Sequence, residues 1–440
     1  MKNYLFGVLL LLAGAVMAQD KPTAVTSYLI KAGKLFDSET GEFKTGMVIL
    51  VKDKKIEAVK PEKEVSDAER GGRTVVDLSA YAVLPGLIDC HTHLLNREVI
   101  HPGNNLPGLD MAKVLTMEGD AYRAIYGAAR AKAYLEAGIT AVQDLGNSGQ
   151  FGDVALRRAI KEGLVPGPRM RCAGPGLSSE GGQLPGVIYK HRDLVNDEYR
   201  IVKGVDDAVQ AVRENVTQGA DVIKIYANNT PNNTMLSVEE IRAIVGEAHR
   251  YGIRVTAHAT DNRAVWNAVT GGVDGIEHGY SVDDTTFQLM ARKGVIFIPT
   301  DGDSVTFVRY AQLESPLNKD EAAANVMGFR RYLGNRLRAA LRAEVTVAAG
   351  SDDYVDFQLP FAEPSKRTLV GYAESGVPIP KVLQFATINA SKQLNWSKEI
   401  GILKRGYFAD IVAVDAGVDK DINAILKVHF VMKGGAVVVQ

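Results

Sequence analysis

Short apolar segments alternate with amphipathic segments through the middle of this chain of 440 residues. The apolar segments have the length of buried strands, and the amphipathic ones, such as 117–137 and 238–250, have the period of helices. After an opening segment that ends at His93, the predicted strands are 139–144, 169–173, 221–226, 254–258, 275–278, 295–299 and 345–349. Eight such units predict an α/β fold with a (β/α)8, TIM-type barrel, and an open doubly wound sheet is the alternative.

Both ends of the chain differ from this middle part. Residues 28–60 contain apolar and polar positions that alternate with the period of strands, and residues 409–435 have the same character. We therefore expect a small β-sandwich domain built from both termini. The expected boundaries are 19–84 and 397–440 for this domain and 85–396 for the barrel.

The first residues have the features of an export signal. Lys2 gives a basic start, residues 4–15 are almost wholly apolar, and Ala18 is a small residue at a suitable cleavage point. The apolar run is too short for a helix that spans a bilayer. We expect residues 1–18 to be a signal peptide, and a periplasmic or secreted protein with no membrane anchor after cleavage.

Charge and cysteine content narrow the functional classes. The formal net charge of −1 gives no electrostatic reason to bind nucleic acid, so a small-molecule substrate is expected. Cys90 and Cys172 are the only cysteines, too few for a zinc or iron–sulfur cluster, and we expect buried thiols rather than a disulfide. The sequence leaves the oligomeric state open, including a homo-oligomer.

Histidines occur at the ends of predicted strands. His91 and His93 are two residues apart at the end of a buried strand, so their side chains point to the same side. His258 and His278 end two later strands, and the C-terminal ends of barrel strands meet at the face that carries active sites. Four of the eight histidines in such positions predict a divalent-metal site.

Lys224 and Asp352 are two further candidates for the metal site. Lys224 lies within a strand that should be buried on both faces, where an ammonium is costly. It either pairs with a carboxylate or takes up carbon dioxide to become an anionic carbamate that bridges two cations. Asp352 follows Gly350-Ser351, a tight turn, and we expect it to bind a metal and accept a proton, with Asp353 as the alternative.

These motifs resemble those of the amidohydrolase superfamily, in its binuclear branch with a carboxylated lysine. The chain is most similar to the imidazolonepropionase-related group, which includes Xaa-Pro and Xaa-Arg dipeptidases and ochratoxin-type amidases. The resemblance implies two divalent ions, with zinc expected and manganese, cobalt and iron also compatible with the ligands. It places His91, His93 and Asp352 on one ion, His258 and His278 on the other, and N6-carboxylated Lys224 between them.

The resemblance implies an exported, metal-dependent amidohydrolase that cleaves the amide or peptide bond of a dipeptide or N-acyl amino acid. A hydroxide bridging the metals would attack, with Asp352 as general base and then general acid. Relatives often have Gly-Gly-His where this chain has Gly181-Gly182-Gln183. Because Gln183 cannot carry a positive charge, we expect it to bind a substrate carboxylate more weakly than a histidine would. His191 in the same loop and Tyr226 on the strand of Lys224 are further candidates for substrate contact.

Two other functions stay open. One is hydrolysis of a different C–N or C–O bond, as by a deaminase or by a hydrolase of cyclic amides or lactones. A deaminase would place an acid near His258, which Ala259-Thr260-Asp261 fits poorly, and a dihydroorotase-like enzyme favours arginine where Leu95 stands. The other is an exported metal-binding protein without turnover, which has no need of the lysine and aspartate in the motifs.

Overall fold

The computed structural model describes residues 26–102, 109–315 and 318–440. The predicted signal peptide, residues 1–18, lies outside these ranges. Among the helices they contain, none has the length and apolar character needed to cross a bilayer. Cys90 and Cys172 are buried free thiols, as expected.

Strands and helices alternate through the middle of the chain. The strands are β1 (Ser27–Asp37), β2 (Glu42–Lys52), β3 (Lys55–Pro61), β4 (Thr74–Pro85), β5 (Leu87–Thr92), β6 (Glu98–Val99), β7 (Ile139–Asp144), β8 (Arg169–Cys172), β9 (Gly176–Ser178), β10 (Tyr199–Ile201), β11 (Ile223–Tyr226), β12 (Asn228–Asn229), β13 (Thr234–Met235), β14 (Val255–Ala259), β15 (Gly275–His278), β16 (Ile296–Ile298), β17 (Val355–Asp356), β18 (Ile411–Asp415), β19 (Val428–Lys433) and β20 (Ala436–Val439). The helices are α1 (Asp67–Arg70), α2 (Leu109–Lys113), α3 (Gly119–Glu136), α4 (Gly152–Lys161), α5 (Val205–Thr217), α6 (Val238–Arg250), α7 (Asn262–Gly271), α8 (Asp284–Lys293), α9 (Ser304–Glu314), α10 (Lys319–Arg342), α11 (Glu363–Glu374), α12 (Ile379–Gln384) and α13 (Ala390–Gln393).

Both termini contribute to one seven-stranded sheet, with the strand order β20-β19-β18-β4-β1-β2-β3. The antiparallel pairing of β18 with β4 joins the two ends of the chain. The other edge of the sheet curls back, because the Ile56 N–H donates to Tyr407 O at 2.9 Å and the Ala409 N–H donates to Lys54 O at 2.9 Å. The curled sheet encloses its own apolar core, which includes Ile30.

Apart from the antiparallel two-residue strands β12 and β13, the strands of the middle part run parallel to one another. One sheet contains β5, β7 and β8, and a second has the order β10-β9-β11-β14-β15-β16. Hydrogen bonds from Asp221 N to Cys172 O, from Ala348 N to Phe297 O and from Cys90 N to Ala349 O, each 2.9 Å, link these strands in sequence around the core. The middle part thus has a TIM-barrel-type α/β fold.

Most predicted strands and helices lie within one or two residues of their observed positions. The exception is the segment 345–349, which was expected to be a strand and forms only an isolated bridge from Val347 to Phe297. The Ala349 N–H donates to Phe385 O at 3.0 Å, and this bond to the following helical region interrupts the ladder.

Helix α6 shows why the helices form and where they pack. The Ser237 side chain accepts from the Glu240 N–H, and the Glu240 side chain accepts from the Ser237 N–H, so the two residues form a capping box. Apolar residues one, three or four positions apart are buried on one side of the helix; they are Ile241, Ile244, Val245 and Ala248.

Candidate metal centre and substrate cavity

The six residues predicted as metal ligands converge at the C-terminal ends of the parallel strands. All six line one cavity of about 170 Å³; they are His91, His93, Lys224, His258, His278 and Asp352. We call His91, His93 and Asp352 the first half-site, and Lys224, His258 and His278 the second half-site. This cavity is smaller than the roughly 300–1,000 Å³ of typical ligand pockets, so it suits a small substrate.

Three atoms of the first half-site lie at distances suited to one ion. The Nε2 atoms of His91 and His93 are 3.2 Å apart. Oδ1 of Asp352 lies 3.4 Å from His91 Nε2 and 3.2 Å from His93 Nε2. Tetrahedral ligands about 2.1 Å from a zinc-like ion are about 3.4 Å from one another, so these atoms match a single metal position.

Hydrogen bonds fix which nitrogen of each imidazole faces this position. The Nδ1–H of His93 donates to Gly146 O at 2.9 Å, and a carbonyl can only accept. His91 Nδ1 lies 2.8 Å from Glu277 Oε2. Burial lowers the pKa of His91 well below its usual range. Two Nε2 atoms and a carboxylate therefore face one point, an arrangement that a cation stabilises.

Glu277 is a buried carboxylate that supports His91. It also accepts a hydrogen bond from Thr256 Oγ1. Burial raises the pKa of Glu277 to about 7, and Lys224 acts in the opposite direction. A positive charge at the first half-site would keep this carboxylate ionised and His91 in the tautomer with Nδ1 protonated.

The turn before Asp352 brings the carboxylate close to the opening strand. A Cβ atom at Gly350 would lie only 2.3 Å from Ile298 Cγ2 and 2.9 Å from His91 Cβ, so only glycine fits there. The Asp352 N–H donates to His91 O at 2.8 Å, and Asp352 adopts a left-handed φ of 56°. The close approach expected from Gly350-Ser351 is present.

Asp89 fastens this turn to β5. Its Oδ1 accepts from the backbone N–H groups of His91 and Ser351, each at 3.0 Å. Its Oδ2 accepts from the hydroxyls of Ser351 and Ser365, each at 2.6 Å. Burial raises the pKa of Asp89 to about 6, although these four bonds oppose the shift. The sequence analysis missed Asp89, whose signal was a carboxylate inside a buried strand.

The second half-site contains ligand atoms that the protein leaves unsatisfied. The ring centroids of His258 and His278 are 4.6 Å apart, and burial lowers the pKa of both well below the usual range. His278 Nδ1 lies 3.0 Å from Thr300 Oγ1. Nε2 of His258 is buried and has no hydrogen-bond partner within the described part of the chain. An orphaned imidazole nitrogen beside a second imidazole fits a metal ligand.

Lys224 completes the second half-site from β11. Its side chain is only 1% exposed, and Nζ makes no hydrogen bond or ion pair with any other residue in the described ranges. Burial lowers the pKa of Lys224 to about 8, with Glu277 and Asp352 opposing the shift. Gly176 makes room for this strand, because a Cβ there would lie 2.5 Å from Tyr226 Cε2.

Two of the three predicted substrate residues lie at the cavity. Tyr226 and Gln183 line it, and the Tyr226 hydroxyl donates to Asn147 Oδ1 at 3.3 Å. His191 does not line the cavity. It is exposed on the 3₁₀ helix Tyr189–Asp197, where the charged residues of this loop face solvent.

The structure adds residues that the sequence analysis did not single out. Tyr280 and Tyr354 line the cavity two positions after His278 and Asp352, as Tyr226 does after Lys224. This repeated two-residue spacing was a usable signal. Other additions come from loops and short elements without any such pattern; they are Asn96, Arg97, Glu98, Met111, Asn147, Tyr199 and Pro231.

Comparison with known proteins identifies the family. The sequence profile of the amidohydrolase family matches residues 82–438. This chain belongs to the amidohydrolase family, and the resemblance drawn from its motifs is confirmed. It is accordingly a hydrolase that acts on carbon–nitrogen bonds, in a family that generally binds divalent metals.

Three relatives show how far the similarity extends. Ochratoxinase of Aspergillus niger is 27% identical over an alignment of 454 residues, which covers 96% of this chain and 88% of that protein. The crystal structure of a Xaa-Pro dipeptidase with bound methionine in the active site is 26% identical, with a TM-score of 0.78 over 94% of this chain and 99% of that one. A prolidase complexed with N-methylphosphonate-L-proline is 28% identical, with a TM-score of 0.79 over 94% and 100%.

Proposed function

We propose that this protein is a metal-dependent amidohydrolase that cleaves the amide or peptide bond of a dipeptide or N-acyl amino acid. The observation that carries the proposal is the convergence of the two half-sites on one small cavity. The relatives described as ochratoxinase and prolidases support the choice of an amide or peptide substrate.

Two divalent ions, with zinc expected, fit the donors at this cavity. His91, His93 and Asp352 would hold one, and His258 and His278 would hold the other. The orphaned Nε2 of His258 supports the second position. When bound, the ions would supply an activated water and polarise the scissile carbonyl.

We further propose that Lys224 is N6-carboxylated and bridges the two half-sites. Its amine would bond to the carbon of carbon dioxide and release a proton, and the product is an anionic carbamate. The support is geometric, because Lys224 is buried beside the four imidazoles and forms no ion pair within the described ranges. Reconstitution with ¹³C-bicarbonate should give a carbamate resonance that Lys224→Ala lacks, and no resonance would refute the modification.

Asp352 is the proposed general base and then general acid. Its carboxylate would take a proton from the attacking water and deliver it to the leaving amine. Burial raises the pKa of Asp352, but His91 and His93 outweigh this and the net shift is downward, so the carboxylate is ionised and able to accept a proton.

The alternatives have less support. A deaminase would need an acid near His258. The nearby Asp261 instead caps helix α7, because its Oδ1 accepts from the Ala264 N–H at 3.0 Å. A metal-binding protein without turnover would not need Asp352 in the arrangement described. Hydrolysis of another C–N or C–O bond would use the same centre and differs only in substrate.

The organisation of the whole protein is also a proposal. We propose a closed (β/α)8 barrel at 85–396 and a small β-sandwich domain at 19–84 and 397–440. The curl of the seven-stranded sheet around its own core supports the second of these. We propose a signal peptide at 1–18 and export to the periplasm or beyond on the sequence features alone. A homo-oligomer is one option for assembly.

Metal analysis combined with a substrate screen tests the proposed function. Two equivalents of metal per chain and release of free amino acid from dipeptides or N-acyl amino acids are expected. Metal binding without hydrolysis of any amide, ester, lactone or amidine would favour the protein without turnover.

A further inference from the structure

At Gln183, the wall of the cavity offers a hydrogen-bond acceptor, the side-chain Oε1. The Gln183 side-chain amide donates through Nε2 to Asn228 O and to Asn229 Oδ1, each at 3.1 Å. A backbone carbonyl can only accept, so the nitrogen of the amide must face Asn228. Both N–H donors of Gln183 are thereby used, and its Oε1 is left as an acceptor. This wall suits an N–H or ammonium group of a substrate and repels a carboxylate.

Arg97 lies elsewhere on the same cavity lining. Arg97 and Lys224 are the only lysine or arginine side chains among the described residues that line this cavity, and Lys224 lies deep among the imidazoles. The Arg97 side chain is 41% exposed, and its Nη2 donates to Asp356 Oδ2 at 2.7 Å. A guanidinium has five N–H donors, so this single carboxylate partner leaves donors for a second one.

The backbone holds Arg97 at a fixed place relative to the metal centre. The next residue begins β6, which pairs with β17 just after Asp352. The Glu98 N–H donates to Tyr354 O at 2.9 Å. The Tyr354 ring contacts the His93 ring edge-on, with 5.7 Å between the centroids. Arg97 is thus tied through Tyr354 to the first half-site.

We propose that Arg97 binds the free carboxylate of the substrate, so that the carboxylate-binding position lies on the loop after β5 and not at Gln183. This inference rests on the proposed function. Arginine pairs with carboxylates through two parallel charge-assisted hydrogen bonds, and Asp356 keeps the guanidinium in place without occupying all its donors. The substrate class is therefore an amide whose amino-acid part has an unblocked carboxyl group.

The test compares matched ligands that differ only at the carboxyl group. A dipeptide and its C-terminal carboxamide are assayed with the metal-loaded wild type, with Arg97→Met and Arg97→Lys, and with the control variant Arg309→Met. Arg97→Met should raise the KM of the free dipeptide about 10- to 100-fold and leave that of the carboxamide unchanged. Arg97→Lys should restore part of the loss. Arg309→Met should leave the KM of both substrates within about twofold, because Arg309 contacts Phe357 O and Gln358 on the same segment and does not line the cavity.

A direct binding measurement separates this inference from the proposed function. Calorimetry with N-acetyl-L-alanine and N-acetyl-L-alaninamide reports carboxylate recognition without turnover. Preferential binding of the acid by the wild type, lost in Arg97→Met, supports the inference even if no substrate is hydrolysed. No preference in the wild type, an equal loss for both ligands, or the same loss in Arg309→Met would overturn it, since the last two are signs of a structural role.

Discussion

The first and second half-sites differ in how completely the protein satisfies their ligand atoms. In the first, Nδ1 of His93 is hydrogen-bonded to Gly146 O and Nδ1 of His91 to Glu277. Asp89 binds the turn that carries Asp352. In the second, an imidazole nitrogen of His258 and the amine of Lys224 lack hydrogen-bond partners within the described ranges. The first half-site is preorganised by hydrogen bonds, whereas the second has buried ligand atoms that the proposed cation and the proposed carbamate of Lys224 would satisfy.

Asp352→Asn is expected to have the largest effect. The amide can still bind a metal through its oxygen but cannot accept a proton, so kcat should fall about 10²- to 10⁴-fold while much of the metal is retained. Steady-state kinetics and elemental analysis measure both quantities. Asp356→Asn, on the same segment, is the matched control and should keep kcat. Unchanged hydrolysis in Asp352→Asn would remove this residue from the proposed role.

Lys224→Ala should break the second half-site and spare the first. Without the bridging anion, the metal content should fall from two equivalents toward one, with a large loss of activity. The control is Lys366→Met, because Lys366 is also buried with a pKa lowered to about 8, yet its Nζ donates to Leu426 O at 2.9 Å, away from the cavity. Equal metal loss in both variants would show a general effect of removing a buried lysine.

Glu277→Gln should weaken the first half-site through His91. The amide keeps a polar contact with Nδ1 but removes the negative charge that raises the basicity of the ring, and metal affinity should fall about 10- to 100-fold. Chelator competition measures the affinity. Glu247→Gln is the control, since this carboxylate pairs with Arg213 on the helical surface. An affinity equal to that of the wild type would contradict the support assigned to Glu277.

The smallest effect concerns the metal-free protein. His93→Leu should lower the free energy of unfolding by about 1–3 kcal/mol, because the buried hydrogen bond from Nδ1 to Gly146 O is lost and only the longer bond from the Ser148 hydroxyl, at 3.2 Å, remains at that oxygen. His258→Leu should leave this free energy unchanged or raise it, because Nε2 has no hydrogen bond to lose. Denaturant unfolding in the presence of a chelator measures both. Equal destabilisation would show that the two half-sites do not differ as described.

Local patterns were sufficient for most of the secondary structure and for the six candidate ligands that line one cavity. The two-residue period of a strand places His91 and His93 on one side, and barrel strand ends gather His258 and His278 at the same face. The same period places Tyr226 at the cavity. Helix α6 was predicted at its observed bounds, because its capping and apolar spacing are local properties.

Contacts between distant segments escaped the sequence analysis. Glu277 reaches His91 across 186 positions of the chain, and Asp89 reaches Ser351 across 262. No local period encodes such pairs, because they depend on how the strands are arranged around the barrel. The exposed position of His191 is a further case, since the path of a loop follows from packing and not from its composition.

The sequence by itself determined the strand–helix order, the spacing of the candidate metal ligands and the family. Only the tertiary structure decided which nitrogen of each histidine faces the centre, that Gln183 offers an acceptor, and that Arg97 lies on the cavity wall. The physical reason is that residue type and period act over a few positions, whereas hydrogen-bond direction and burial are set by neighbours that the fold brings together.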